Sequence, residues 1–348
     1  LQGTLDGCIT AVITPFGPDG NLDVDGLGHL LEFQLKNGAS GIVVAGTTGE
    51  GPTLEHQEFV KALAQVLEGA EGRGLTIANT GTNSTRKALE LTLEAWELGA
   101  KSALLVDPYY NCPSSLEIRR EYYEPISRAA SEMWLIPYVI PGRTGTQISP
   151  QDLSILAKAC PNVRAVKEAT GSRENAASVR ALCGDGFSIL SGDDDATYDL
   201  MADPGIRADG TISVISNIAP RAVADMVSSA LRGDMIAALA MATALKPLTE
   251  LVTVKTEEQV QGGALVVKAR NPVPVKTMAA ILGMPGGPCR RPLGRMTKAG
   301  LARVVSGLRT VWERNPEILE PVEEGFGVNI ADRLSSPSSL AGLCYDSY

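Results

Sequence analysis

Histidine is nearly absent from this sequence: His29 and His56 are the only two among 348 residues. A zinc centre or a histidine-based nucleophilic triad therefore has almost no material to be built from. Any acid–base work falls to tyrosine, lysine, threonine or carboxylates. The six cysteines (Cys8, Cys112, Cys160, Cys183, Cys289, Cys344) are scattered and form no C-x-x-C pair. That usage predicts reduced, mostly buried thiols in an intracellular, cytoplasmic protein. Long apolar runs are missing too, so neither a membrane span nor a membrane partner is expected. No basic-then-apolar leader segment opens the sequence as given. Positive charge is the minority sign, 31 Lys and Arg against 40 Asp and Glu, for a formal net charge of -9. With no basic stripe, a nucleic-acid partner is not expected.

What is present is globular: 44% hydrophobic and 20% charged residues, enough for one large core or a core with an appendage. Short β-branched runs recur at 9–13, 41–45, 75–79, 102–106, 135–140, 163–166, 187–190 and 211–215. Amphipathic stretches lie between them, at 25–37, 54–67, 85–98, 116–128 and 150–159. Helix-start signals support these: Ser114 with Glu117 three residues on, and Ser149 followed by Pro150 and Asp152. Eight strand–helix units predict an α/β fold, a (β/α)8 barrel over residues 1–218. A doubly wound open sheet is the rival. It calls for a glycine-rich nucleotide turn after the first strand, whereas here that strand runs into Thr14-Pro15-Phe16. Gly46-Thr47-Thr48-Gly49 is not followed by the lysine of a phosphate loop, so nucleotide binding is not expected. Residues 219–315 read as a C-terminal helical region, with helices over 219–231, 235–252, 275–282 and 298–313. Residues 259–270 read as a loop or a lengthened helix end. The tail, 316–348, is acidic and then Ser- and Gly-rich, so it is expected to be poorly ordered.

In such a barrel the strand ends share one face, and that face carries the chemistry. Lys167 stands at the end of the apolar run 163–166, where desolvation favours the neutral amine, the form that attacks a ketone or aldehyde. The second strand delivers Gly46-Thr47-Thr48-Gly49-Glu50, whose turn amides suit a carboxylate. The fourth delivers Asp107-Pro108-Tyr109-Tyr110, and the fifth Tyr138 and then Arg143, a forked donor for a carboxylate. The seventh delivers Asp193, Asp194 and Asp195, which read as a helix N-terminus rather than a metal site. A lysine with carboxylate grips and no metal ligands points to a small keto acid activated as an enamine. Each group also has a bland reading as turn, core aromatic or surface partner. Their co-location is what argues for a site.

These blocks stand in family order. AVITPF, AGTTGEGPTL, VDPYYNCPS, YVIPGRTG, AVKEATG, SGDDDAT, GTISVISNIAP and NPVPVK resemble the pyruvate-dependent class I aldolase superfamily, of the dihydrodipicolinate synthase and N-acetylneuraminate lyase type. The resemblance runs from about Gly7 to Thr297 and is nearest to the dihydrodipicolinate synthases. It implies that Lys167 forms a Schiff base with pyruvate and that no separate cofactor is used. Tyr138 becomes the proton shuttle in a relay with Thr47 and Tyr110, the latter reaching in from a neighbouring subunit of a homodimer or homotetramer. Gly46 and Thr48 would hold the pyruvate carboxylate, Ile212 would offer a backbone carbonyl, and Arg143 would bind the carboxylate of L-aspartate 4-semialdehyde. The implied reaction gives 4-hydroxy-tetrahydrodipicolinate, in lysine and diaminopimelate biosynthesis. A sugar-derived or aromatic keto acid, or a non-catalytic keto-acid-binding role, are the alternatives.

Three departures stand out: Val139 follows Tyr138 where the family commonly has Asn, the segment before NPVPVK is longer than usual, and a tail follows about Arg314. At the family's lysine-inhibition site His56 and Asn83 match. Phe59, however, replaces a second histidine, and Lys87 stands where an acidic residue pairs with the inhibitor's amino group. The resemblance thus implies weak or absent feedback by lysine.

Overall fold

A computed structural model describes residues 5–348. Eight parallel strands close a barrel in sequence order: β1 (Gly7–Ala11), β2 (Gly41–Val44), β3 (Leu75–Asn79), β4 (Ser102–Val106), β5 (Trp134–Val139), β6 (Ala165–Glu168), β7 (Ser188–Ser191) and β8 (Gly210–Ser213). β8 returns to β1, with Ile9 opposite Ile212. Side chains alternate across each strand, so two cores form. Ile9, Val43, Ile77, Leu104, Ile136, Leu190 and Ile212 fill the barrel interior. The intervening residues meet the surrounding helices in a second, larger core. The helices begin where the sequence supplies caps: the Ser114 side chain accepts from the backbone N–H of Glu117, Ser149 does so from Asp152, and Thr297 from Gly300. Among the described residues no helix is long and apolar enough to cross a membrane.

Two expectations are corrected. Residues 259–270 are neither loop nor helix end. They belong to an antiparallel hairpin of β9 (Thr253–Val260) and β10 (Gly263–Arg270), in register from Val260 opposite Gly263 to Thr253 opposite Arg270. The turn between them is Gln261-Gly262, and Gly262 and Gly263 both take the left-handed φ values that such turns favour, 104° and 131°. The tail is not poorly packed either. Short helices at Glu320–Phe326 and Ile330–Ser335 bury Val322, Ile330 and Leu334, and Ile318 and Leu319 are buried just before them. The Phe326 ring lies 5.0 Å from that of Phe33 on the first helix, Val24–Lys36. The Arg333 guanidinium donates to the carbonyls of Ile281 (2.6 Å) and Ala280 (2.8 Å), which end the helix Val273–Leu282.

Candidate active site

Lys167 is the third residue of β6, one step inside the strand rather than beyond it. Alternation with Val166 and Glu168 turns its side chain into the barrel, where Ala165 and Ala169 flank it. Tyr138 pairs with it directly across β5 and β6, and Nζ lies 4.2 Å from the Tyr138 ring centre. Gly192 keeps this space open, because a Cβ there would stand 2.7 Å from the Ala169 Cβ and 3.1 Å from the Lys167 Cε. Lys167 is 5% exposed. Burial pulls its pKa down to about 8, against the opposing pull of the Asp193 and Asp194 carboxylates. About one molecule in ten then carries the neutral amine at pH 7, against roughly one in three thousand at the ordinary value.

Tyr138 is buried as well. Desolvation lifts its hydroxyl to about 12, opposed by the charge of Arg143 and by a hydrogen bond with the Thr47 side chain. It therefore keeps its proton at neutral pH and is linked to Thr47 for passing it on. Tyr110 does not join them within one chain. It is 86% exposed, on a loop where its backbone takes φ 80°. That loop is fixed from below by Asp107, which accepts from the Tyr123 hydroxyl (2.7 Å) and the Ile148 N–H (3.1 Å).

The turn after β2 needs support, since Ala45 and Glu50 both have left-handed φ, 57° and 56°. A Cβ at Gly51 would sit 2.1 Å from the Ala45 carbonyl oxygen, so only glycine fits. The Gly46 carbonyl accepts from the Gly51 N–H at 3.1 Å. Below the turn lies a buried ion pair. Lys276 Nζ stands 2.7 Å from Glu50 Oε1, and it also donates to the carbonyls of Thr14 (3.0 Å) and Pro288 (2.9 Å). The other Glu50 oxygen accepts the Arg290 N–H at 2.7 Å. Every polar atom of this cluster is thus engaged, the condition for a buried charge pair to hold. Thr48 is buried, and its hydroxyl accepts from Asn271 Nδ2 at 2.9 Å. The same Asn271 accepts the Arg143 guanidinium on its backbone carbonyl at 3.1 Å. One residue thereby joins the two expected carboxylate grips, and its own side-chain oxygen is buried without a partner.

The triple aspartate stands just before a helix, Thr197–Ala202, whose N-cap is Ala196 and which has no side-chain cap. Asp194 instead bonds the Ser213 hydroxyl and the N–H groups of Val214 (2.9 Å) and Ile215 (3.3 Å), tying the end of β7 to that of β8. Ile212, buried in β8, borders the same interior. Lys167, Tyr138, Thr47, Thr48, Gly46 and Ile212 thus converge, with Arg143 at the rim. Asn271, Lys276 and Gly192 were not singled out from sequence, although the first two lie inside the NPVPVK block. A cavity of about 950 Å³ lies elsewhere, between the helix Val273–Leu282, residues 287–295 and the tail.

Comparison with known proteins agrees with this architecture. A family model described as the dihydrodipicolinate synthetase family matches residues 4–310. A 4-hydroxy-tetrahydrodipicolinate synthase of Pelobacter propionicus is 38% identical over 307 residues, 87% of this chain and 98% of that one. Another, of Trichlorobacter lovleyi, is 40% identical over 298 residues, 86% and 96% of the two chains. The solved 4-hydroxy-tetrahydrodipicolinate synthase of Methylacidiphilum fumariolicum SolV superposes with a TM-score of 0.81 at 34% identity, covering 93% of this chain and all of that one (100%).

Proposed function

This chain belongs to the dihydrodipicolinate synthetase family, and we propose that it condenses pyruvate with L-aspartate 4-semialdehyde to 4-hydroxy-tetrahydrodipicolinate, for lysine and diaminopimelate biosynthesis. The observation that carries the mechanism is a lysine buried against a buried tyrosine at the barrel mouth. The neutral Lys167 amine adds to the keto carbon of pyruvate, and water leaves to give an iminium. The iminium is the electron sink, so no cofactor is needed: Tyr138, having given its proton to the departing hydroxide, takes up a methyl proton in its place and the enamine forms. The enamine carbon then adds to the aldehyde, and a proton from Tyr138 neutralises the new alkoxide. The amino group of the substrate displaces Lys167 at the imine carbon, closing the ring and freeing the enzyme. One water is released overall.

Thr48 and the turn at Gly46 hold the pyruvate carboxylate, while Arg143 receives that of the semialdehyde. Tyr110, exposed in one chain, completes the relay of a neighbouring subunit, so the active species is a homodimer or homotetramer. A cytoplasmic location fits the free thiols.

Borohydride reduction in the presence of pyruvate, followed by intact mass, tests the first step. One pyruvate per chain in the wild type and none in Lys167→Ala is expected. An adduct that survives the substitution would refute the assignment. Turnover with semialdehyde, set against a panel of sugar aldehydes, tests the substrate.

A further inference from the structure

The β9–β10 hairpin does more than lengthen the chain. It walls an open cavity of about 330 Å³ beside the barrel mouth, within the size range of small-ligand sites. Arg143, Lys268, Arg270 and Arg295 line it. None of the four forms an ion pair with a carboxylate among the described residues. Arg143 and Arg270 each bond the backbone of the residue beside the other. Arg143 donates to the carbonyl of Asn271, next to Arg270, and Arg270 donates to the carbonyl of Gly142, next to Arg143, at 3.4 Å. Each fork is anchored by one N–H, and no other hydrogen bond engages its remaining donors among the described residues.

Two carboxylates stand near. Asp193 acts on Arg143 from the barrel side, and Glu258, bonded to the Thr256 hydroxyl at 2.9 Å, lines the adjoining cavity with Arg295. Neither balances the group, so a chain with net charge -9 carries a local excess of positive charge here. Val254, Val267 and Ala269 give the cavity an apolar wall between its charged ends.

We propose that this cavity is a binding site for a small dicarboxylate, one carboxylate taken by Arg270 with Arg143 and the other by Lys268 and Arg295. Planar guanidinium forks match carboxylates edge to edge, and an apolar wall suits the methylenes between them. Because Arg143 is shared, the ligand competes with the aldehyde and not with pyruvate. That second clause rests on the function proposed above, whereas the binding itself does not.

Isothermal titration at fixed ionic strength tests it, with succinate, acetate and inorganic phosphate as separate probes. Succinate is expected to bind at one per chain, at least tenfold tighter than acetate. The Arg270→Gln/Arg295→Gln variant is expected to weaken it tenfold or more, leaving borohydride trapping of pyruvate unchanged. Arg270→Lys/Arg295→Lys, which keeps the charge but not the forks, recovers part of the affinity. In kinetics, succinate raises the semialdehyde KM and leaves the pyruvate KM alone. Succinate no tighter than acetate, or affinity unmoved in the Gln variant, would overturn the site, and phosphate binding tighter than succinate would overturn the ligand class. Absence of a pyruvate adduct would bear on the catalytic reading alone, because titration needs no turnover.

Discussion

At the scale of single residues, burial against neighbouring charge decides the chemistry of Lys167. Desolvation removes more ammonium character than Asp193 and Asp194 restore. Protonation blocks attack, so pyruvate adduct formation should rise about tenfold from pH 6 to pH 7 and level off above about pH 8. Initial rates of borohydride-trapped adduct across that range check this. Asp193 is the stronger of the two charges raising the lysine. Asp193→Asn should therefore move the profile to lower pH, by about half a unit to one unit. An unmoved or upward-shifted profile would contradict this electrostatic account. At the outer face, Lys87 is exposed and His56 is already paired with Glu94 at 3.1 Å. With no acidic partner for an incoming ammonium at Lys87, lysine is expected to inhibit only in the millimolar range or not at all. A micromolar inhibition constant would contradict that expectation. Lys167 was legible in the sequence because an apolar run and a turn isolate it. Asn271 was not, since its role depends on Thr48 and Arg143, more than a hundred residues away in the chain and brought beside it only by barrel closure.

At the scale of elements, the turn after β2 holds its shape through the chain's distant end. Glu50 and Lys276 are both buried, and each is the other's main charge partner. Lys276→Met strands the Glu50 carboxylate, which should cost about 3–5 kcal/mol. The measurable signs are a clearly lower Tm and a raised pyruvate KM, because Thr48 loses its fixed position. Glu50→Gln added to Lys276→Met should recover much of the loss. If the single variant left both values unchanged, the pair would have no role in holding the turn. The barrel strands were legible because each is a short apolar run bounded by turn residues. The hairpin was misread even though it carries its own signal. Val254, Thr256 and Glu258 alternate with more exposed neighbours, and Gly262-Gly263 marks the reversal. β9 is mostly polar, and the apolar residues 264–267 of β10 form a continuous, largely exposed run rather than an alternation, so no period-two apolar face marks the pair. The pairing becomes visible only once the two strands lie side by side.

At the scale of the whole molecule, the tail is a strap. It follows the last long helix, Lys298–Arg314, packs on the first helix of the barrel through Phe326 and then reaches the end of the helix Val273–Leu282 through Arg333. Sequence patterning missed this because Pro316, Pro321, Gly325, Gly327 and Pro337 break up the segment, and its helices Glu320–Phe326 and Ile330–Ser335 are only seven and six residues long, too short for a helical period to register. The apolar residues are nonetheless placed to bury, and Ile318, Leu319, Val322, Ile330 and Leu334 are each at most 3% exposed. Fully burying each such side chain is worth about 1.5–3 kcal/mol, and Arg333 adds the closing of two helix-end carbonyls. Removing residues 316–348 should therefore lower stability by more than about 5 kcal/mol, read as a shifted denaturant midpoint. The helix that loses its cap is the one that carries Lys276, so the damage should reach the active site: at temperatures where the truncated chain is still folded, its pyruvate KM should rise. Unchanged midpoint and KM would mean that the tail merely rests on the surface. A lower midpoint with an unchanged KM would confine its role to stability and break the proposed link between strap and turn.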